Sequence, residues 1–130
     1  MSEQYSTFLR ITFFIHVIIG AIFGIGLYII PDLFLGLFGM TIMDPTTRLF
    51  GAMMLALTIG SVLALATKEW LRVRIIVEVD IFWCILGLIG AIVHIFLPPV
   101  FTTLAGLLII AILAILLFLF LIGYFIEVRD

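Results

Sequence analysis

The stretch VFTTLAGLLIIAILAILLFLFLIGYFI, residues 100–126, contains no Asp, Glu, Lys, Arg or His. A water-soluble helix needs a polar face, and this run has none. At about 1.5 Å per residue it is long enough to cross a hydrocarbon core of ~30 Å. Working outward along the chain, three more runs of the same kind occupy Ile11 to Ile30, Leu49 to Thr67 and Ile75 to Leu97. Most ionisable residues gather at the seams between runs. The sequence therefore reads as an all-α integral membrane four-helix bundle, a single domain over residues 1–130, with helices expected near 8–30, 45–67, 73–97 and 100–127.

Composition supports that class. With 66% hydrophobic and 11% charged residues, and a mean hydropathy of +1.51, the chain has too little polar surface to coat a water-soluble globule. Its six basic residues are scattered and form no stripe, so no nucleic-acid partner is expected. The first apolar run exceeds a typical leader core and is read as a retained helix rather than a cleaved signal. The single cysteine, Cys84, has no partner for a disulfide or a CxxC pair and is read as a small packing residue.

Orientation follows from the basic residues. Four crossings put both termini and the central turn on one side, together with Arg10, Lys68, Arg72, Arg74 and Arg129; the other side has Arg48. The positive-inside rule then predicts cytoplasmic termini in a cell or cytoplasmic membrane. Tyr5, Trp70 and Tyr124 fall at the inner boundary and Tyr28 at the outer one, where amphipathic rings are favoured.

Helices in lipid associate through small residues that let backbones approach. The second long helix carries Ala52, Ala56, Gly60 and Ala64 at a spacing of four, and the first offers Gly20 and Gly24. Packing within the bundle and self-association are both open for these faces. The Leu/Phe-rich second half of the last helix is expected to face lipid or a partner. In the first outer loop, Pro31 to Gly39 combines one acid with bulky apolar groups and predicts a short interfacial helix. Asp44, Pro45 and Arg48 then mark a helix start: N-cap acid, proline in the first turn, and a cation one turn on. Asp32, Asp44, Arg48 and His94 are the candidates for an outer polar cluster, read either as an interfacial Asp44–Arg48 pair or as a ligand or partner site.

Ionisable groups inside hydrocarbon cost several kcal/mol unless paired or hydrated. His16 and Asp80 lie equally deep, counted from Arg10 and Arg74, so an Asp80–His16 pair, either a charge pair or a neutral hydrogen-bonded pair, is expected at one level. Thr58 and Ser61 fall near that depth, and Glu78 is placed to pair with Arg74 or Arg10. The layer His16, Thr58, Ser61, Glu78, Asp80 is open to two readings, interhelical glue or a proton-coupled or ligand site. His16 and His94 differ too much in depth to share one haem iron. No metal-ligand, nucleophile or phosphate-loop motif occurs, so no cofactor, metal or catalytic residue is expected.

The order Tyr28-Ile-Ile-Pro31-Asp32, a short apolar segment ending Phe38-Gly39, then Asp44-Pro45-Thr-Thr-Arg48-Leu-Phe-Gly51-Ala52, resembles the small four-helix DoxX-like membrane families. The resemblance spans the topology of nearly the whole chain, with its specific part in about 25 residues. It implies a four-helix bundle and an accessory subunit of a larger, respiratory, quinone-linked complex, and it implies no catalytic residues. The expected partners are thus the lipid bilayer and other membrane subunits or a second copy. The alternative is a small proton-coupled transporter built on the His16/Asp80 layer.

Overall fold

The computed structural model describes residues 4–39, 45–96 and 103–129, except for the side chains at 94, 95 and 103–105. The elements are α1 (Thr7–Ile29), α2 (Pro31–Leu37), α3 (Pro45–Ala66), α4 (Trp70–Ile95) and α5 (Thr103–Arg129). The four long helices are all long and apolar enough to cross a membrane, which makes this a membrane protein of the helical-bundle class. Going round the bundle, α1 packs on α3 and α5, while α4 packs on α5 and α3. Thus α1 and α4 face one another across the diagonal.

Two boundaries differ from the sequence expectation. Helix α4 begins at Trp70 rather than near 73, because Glu69 organises its first turn: its carbonyl accepts from Arg72 N at 3.1 Å and its carboxylate pairs with Arg72 Nε at 2.7 Å. Helix α5 continues to Arg129. The expected start of that helix at 100–102 lies outside the described residues.

One end of the bundle is tied by the segment before α1. Ser6 caps α1, its hydroxyl accepting from Leu9 N at 3.2 Å, while Ser6 N donates to the Glu127 carboxylate of α5. Tyr5 N donates to the Lys68 carbonyl at 3.1 Å, and the Tyr5 hydroxyl donates to the Ala64 carbonyl at 2.5 Å. Ala64 O belongs to the last turn of α3, where carbonyls lack helical partners. Burial pushes the Tyr5 phenol above its ordinary range, so it stays a donor at neutral pH. The segment at 4–6, the α3–α4 turn and the end of α5 therefore share one end. Tyr5→Phe leaves the Ala64 carbonyl unpaired and is expected to cost about 1–2 kcal/mol, read from thermal unfolding in mild detergent.

At the opposite end, α2 folds back against the adjoining turns of α1 and α3. Pro31 occupies its first turn, as suits a residue without an N–H. Phe34 and Leu35 are buried against Leu27, with Phe23, Phe38 and Met54 around them. Phe34 lies edge-on to Phe23 at 5.4 Å and to Phe38 at 5.3 Å between centroids. The chain leaves α2 through Gly39, whose φ of 72° is in the left-handed region that glycine adopts without strain.

Packing on α5 and α3 is uneven round each helix. The second half of α5 turns Phe118, Phe125 and Val128 outward, in line with the expected lipid- or partner-facing surface, and sets Leu116, Phe120 and Gly123 inward, with Phe120 edge-on to Phe13 and His16. Leucine and phenylalanine are as good a core as they are a lipid surface, so composition does not separate the two. On α3 the closest approach falls away from the small-residue line. A Cβ on Gly60 would meet only Ile76 Cγ2 at 3.8 Å, whereas one on Gly51 would fall 2.8 Å from Tyr28 N and 3.0 Å from Leu27 C. The close approach in the bundle is α3 against the end of α1, through Gly51, with Gly20 against Thr58 and Gly24 against Leu55.

Candidate functional site

A polar centre sits midway between the four long helices, and each contributes to it. From α1, His16 is 3% exposed; from α3, Ser61 is fully buried; from α4, Asp80 is 1% exposed. His16 Nδ1 and Ser61 Oγ are hydrogen-bonded at 2.6 Å. Phe120 of α5 presses on the imidazole edge-on at 5.4 Å. The ring is thereby fixed by one polar and one aromatic neighbour.

Asp80 Oδ2 is 3.9 Å from His16 Nδ1, beyond hydrogen-bond reach. Of the two expected forms of the Asp80–His16 pair, the hydrogen bond gives way to a His16–Ser61 bond, because the Ser61 hydroxyl on α3 stands closer to the same nitrogen, while the 3.9 Å separation stays within ion-pair distance. Among the described residues, neither Asp80 oxygen has a hydrogen-bond partner. Cys84, one turn along α4, is also buried and stands as a packing neighbour.

Both Asp80 oxygens are fully buried, while the residue borders open space between two helices. It forms part of a groove between α3 and α4 of about 160 Å³, lined otherwise by Ala56, Leu57, Gly60, Ile75, Ile76 and Val79. Ile75 and Val79 are 69% and 48% exposed, so the groove gives on to the outer surface of the bundle, which in a membrane is lipid. The small side chains at Ala56 and Gly60 create the gap.

The remaining members of the expected layer lie elsewhere. Thr58 donates back to the Met54 carbonyl at 2.8 Å and abuts Gly20. Glu78 accepts from Arg74 Nε at 2.8 Å and from the Tyr124 hydroxyl at 3.2 Å, forming an exposed cluster near the end that holds Trp70. At the other end, Arg48 Nη1 donates to the Tyr28 carbonyl at 2.8 Å, capping the last turn of α1. Asp32 is exposed on α2. Asp44 and the His94 side chain, the other half of the expected outer cluster, lie outside the described residues. Ala52 is half-buried and Ala64 buried.

Sequence reasoning missed Phe120, which orients His16, and the Phe50–Trp83 pair, whose rings meet across α3 and α4 at 5.7 Å. Antiparallel register carried a signal for the latter, since Gly60 opposes Ile76 and Trp83 follows two turns farther along α4.

The arrangement is that of a helical membrane protein with a buried acid at its core, 3.9 Å from a histidine. In comparisons with known proteins, no family model matches the chain, and no curated protein or solved structure matches it significantly.

Proposed function

We propose that this protein is a small proton-coupled transporter whose working group is Asp80. The observation that carries this reading is that both Asp80 oxygens are buried without hydrogen-bond partners among the described residues, beside a groove that opens on the membrane. A bare carboxylate in hydrocarbon costs several kcal/mol, so the group must be neutralised by a proton or by a cation. Exchange of one for the other is the elementary step of proton–cation antiport. His16, 3.9 Å away and held by Ser61, is the adjacent proton acceptor. Glue alone does not account for Asp80, because its pairing with His16 at 3.9 Å carries no hydrogen bond.

The proposal places the end shared by residues 4–6, the α3–α4 turn and Glu127 in the cytoplasm, since Arg10, Lys68, Arg72, Arg74 and Arg129 are on that side of the sequence. It lays α2 along the opposite interface. It also keeps the DoxX-like relationship, supported by contacts among the residues that carry the resemblance: Arg48 caps the Tyr28 carbonyl and Gly51 admits the Tyr28 backbone.

The test is infrared difference spectroscopy of the protein in lipid, between acid and alkaline buffer. The groups that face Asp80 are His16 from α1 and Cys84 from its own helix, neither a carboxyl, so a protonated-carboxyl band that titrates in the native protein and vanishes in Asp80→Asn is the expected result. A band unaffected by the substitution, or none that titrates, overturns the reading.

A second reading, an accessory subunit of a respiratory, quinone-linked complex, is favoured by the small residues Ala56 and Gly60 along the groove, which suit a partner helix. There Asp80 would meet a basic side chain of the partner. Stoichiometric subunits that co-purify with the native protein and are lost with Asp80→Asn would select it.

A further inference from the structure

We propose that the α3–α4 groove holds one acyl chain of an anionic phospholipid, with the phosphate seated against Arg72 and Lys68 at the end of the bundle that carries the α3–α4 turn. The inference goes beyond the reading of Asp80 and does not depend on it. Of the adjoining long helices, α3 and α4 pack most loosely, and the space between them gives on to the membrane. Its exposed lining is hydrocarbon, from Ala56, Leu57, Gly60, Ile75, Ile76 and Val79, while Asp80 on the inner wall keeps both oxygens fully buried. Such a surface has no partner for a polar ligand and accepts methylene groups. Its volume, about 160 Å³, is close to the ~150 Å³ that holds a benzene ring in an engineered apolar cavity, so it takes on the order of six carbons of a chain.

The charges above the groove select the lipid. Arg72 stands one turn before Ile75 and Ile76 and two turns before Val79, so it shares their face of α4. Helical side chains lean toward the N-terminus, which carries its guanidinium away from the hydrocarbon lining and toward the boundary marked by Trp70. The Arg72 side chain is 70% exposed, and although Glu69 pairs with Nε at 2.7 Å, a guanidinium has more donors than one carboxylate oxygen uses. Lys68, exposed in the α3–α4 turn, adds a second cation. Arg74 lies on the opposite face of α4, held by Glu78 and Tyr124. Depth agrees with a single lipid: Arg72 to Asp80 spans ~12 Å along the helix, within the ~15 Å of one leaflet of a ~30 Å core. The rings of Phe50 and Trp83, 5.7 Å apart across the same two helices, bridge the gap at its far end, so the rest of the chain turns outward into the bilayer. A partner helix would fill the gap without using the two cations.

The test is native mass spectrometry of the protein released in mild detergent from vesicles of equal parts palmitoyl-oleoyl phosphatidylglycerol and phosphatidylcholine. The native protein is expected to keep one phosphatidylglycerol per chain, preferred over phosphatidylcholine by at least about tenfold, as two basic residues at an anionic headgroup supply. Lys68→Gln combined with Arg72→Gln removes the preference. Arg72→Gln alone weakens it several-fold, whereas Arg74→Gln, which deletes the same charge from the other face of α4, leaves it intact. Ala56→Leu sits at an exposed position and fills the groove without touching a charge; it is expected to lower the retained phosphatidylglycerol several-fold. Equal retention of the two lipids by the native protein, equal effects of Arg72→Gln and Arg74→Gln, or undiminished retention by Ala56→Leu overturns the site. A second protein chain carried in place of the lipid overturns it as well.

Discussion

Replacing Gly51 by alanine lowers the unfolding free energy by about 2–3 kcal/mol, while the same change at Gly60 leaves it unchanged or raises it by up to ~1 kcal/mol. The two sites differ in what a methyl group meets. At Gly51 the new Cβ lands 2.8 Å from the Tyr28 amide nitrogen and 3.0 Å from the Leu27 carbonyl carbon. These are backbone atoms of the last turns of α1, so the helices must move apart. That separation also lengthens the Arg48 bond to the Tyr28 carbonyl, which spans the same junction. At Gly60 the nearest atom is the tip of Ile76 at 3.8 Å, an ordinary contact, and alanine gains helix propensity. Thermal unfolding of both variants in mild detergent checks the contrast. A larger loss at Gly60 than at Gly51 would return the tight interface to the small-residue line of α3.

The second large effect is at the polar centre, where His16→Ala is expected to cost about 3 kcal/mol. The substitution removes a ring packed against Phe120, leaves a void amid four helices, and deprives the buried Ser61 hydroxyl of its partner at 2.6 Å. Ser61→Ala gives a smaller loss, because only the hydrogen bond goes. The pair reports additively only if the two residues act apart; here the double variant is expected to cost little more than His16→Ala alone.

Much of the fold is legible in the sequence because the bilayer imposes it. Four runs such as 100–126 have one stable use in hydrocarbon, a helix whose backbone bonds close internally, and Pro31 after Tyr28 marks where one helix must yield to another. Depth is legible too, since a fixed rise per residue puts His16 and Asp80 at one height. Azimuth is not. Height alone does not tell whether the Asp80 carboxylate or the Ser61 hydroxyl reaches His16 Nδ1, and the answer turns on a difference of 2.6 against 3.9 Å. The same gap in information hid Phe120: on a helix apolar all round, nothing in the sequence says which phenylalanine faces the imidazole and which, like Phe118, faces lipid. Small residues show where a neighbour is able to approach. They do not show that it does, as Gly60 and Gly51 demonstrate in opposite directions.

The centre also explains why Asp80 is the residue to question. A side chain kept for adhesion is satisfied by its neighbours, and removing its charge breaks bonds. Asp80 has no such bonds among the described residues, and asparagine matches it in shape while relieving the burial of a charge. The most direct measurement is therefore the thermal unfolding of Asp80→Asn beside the native protein in the same detergent. An unfolding temperature equal to or above the native one is the result this account predicts, and a fall as large as that of His16→Ala would contradict it.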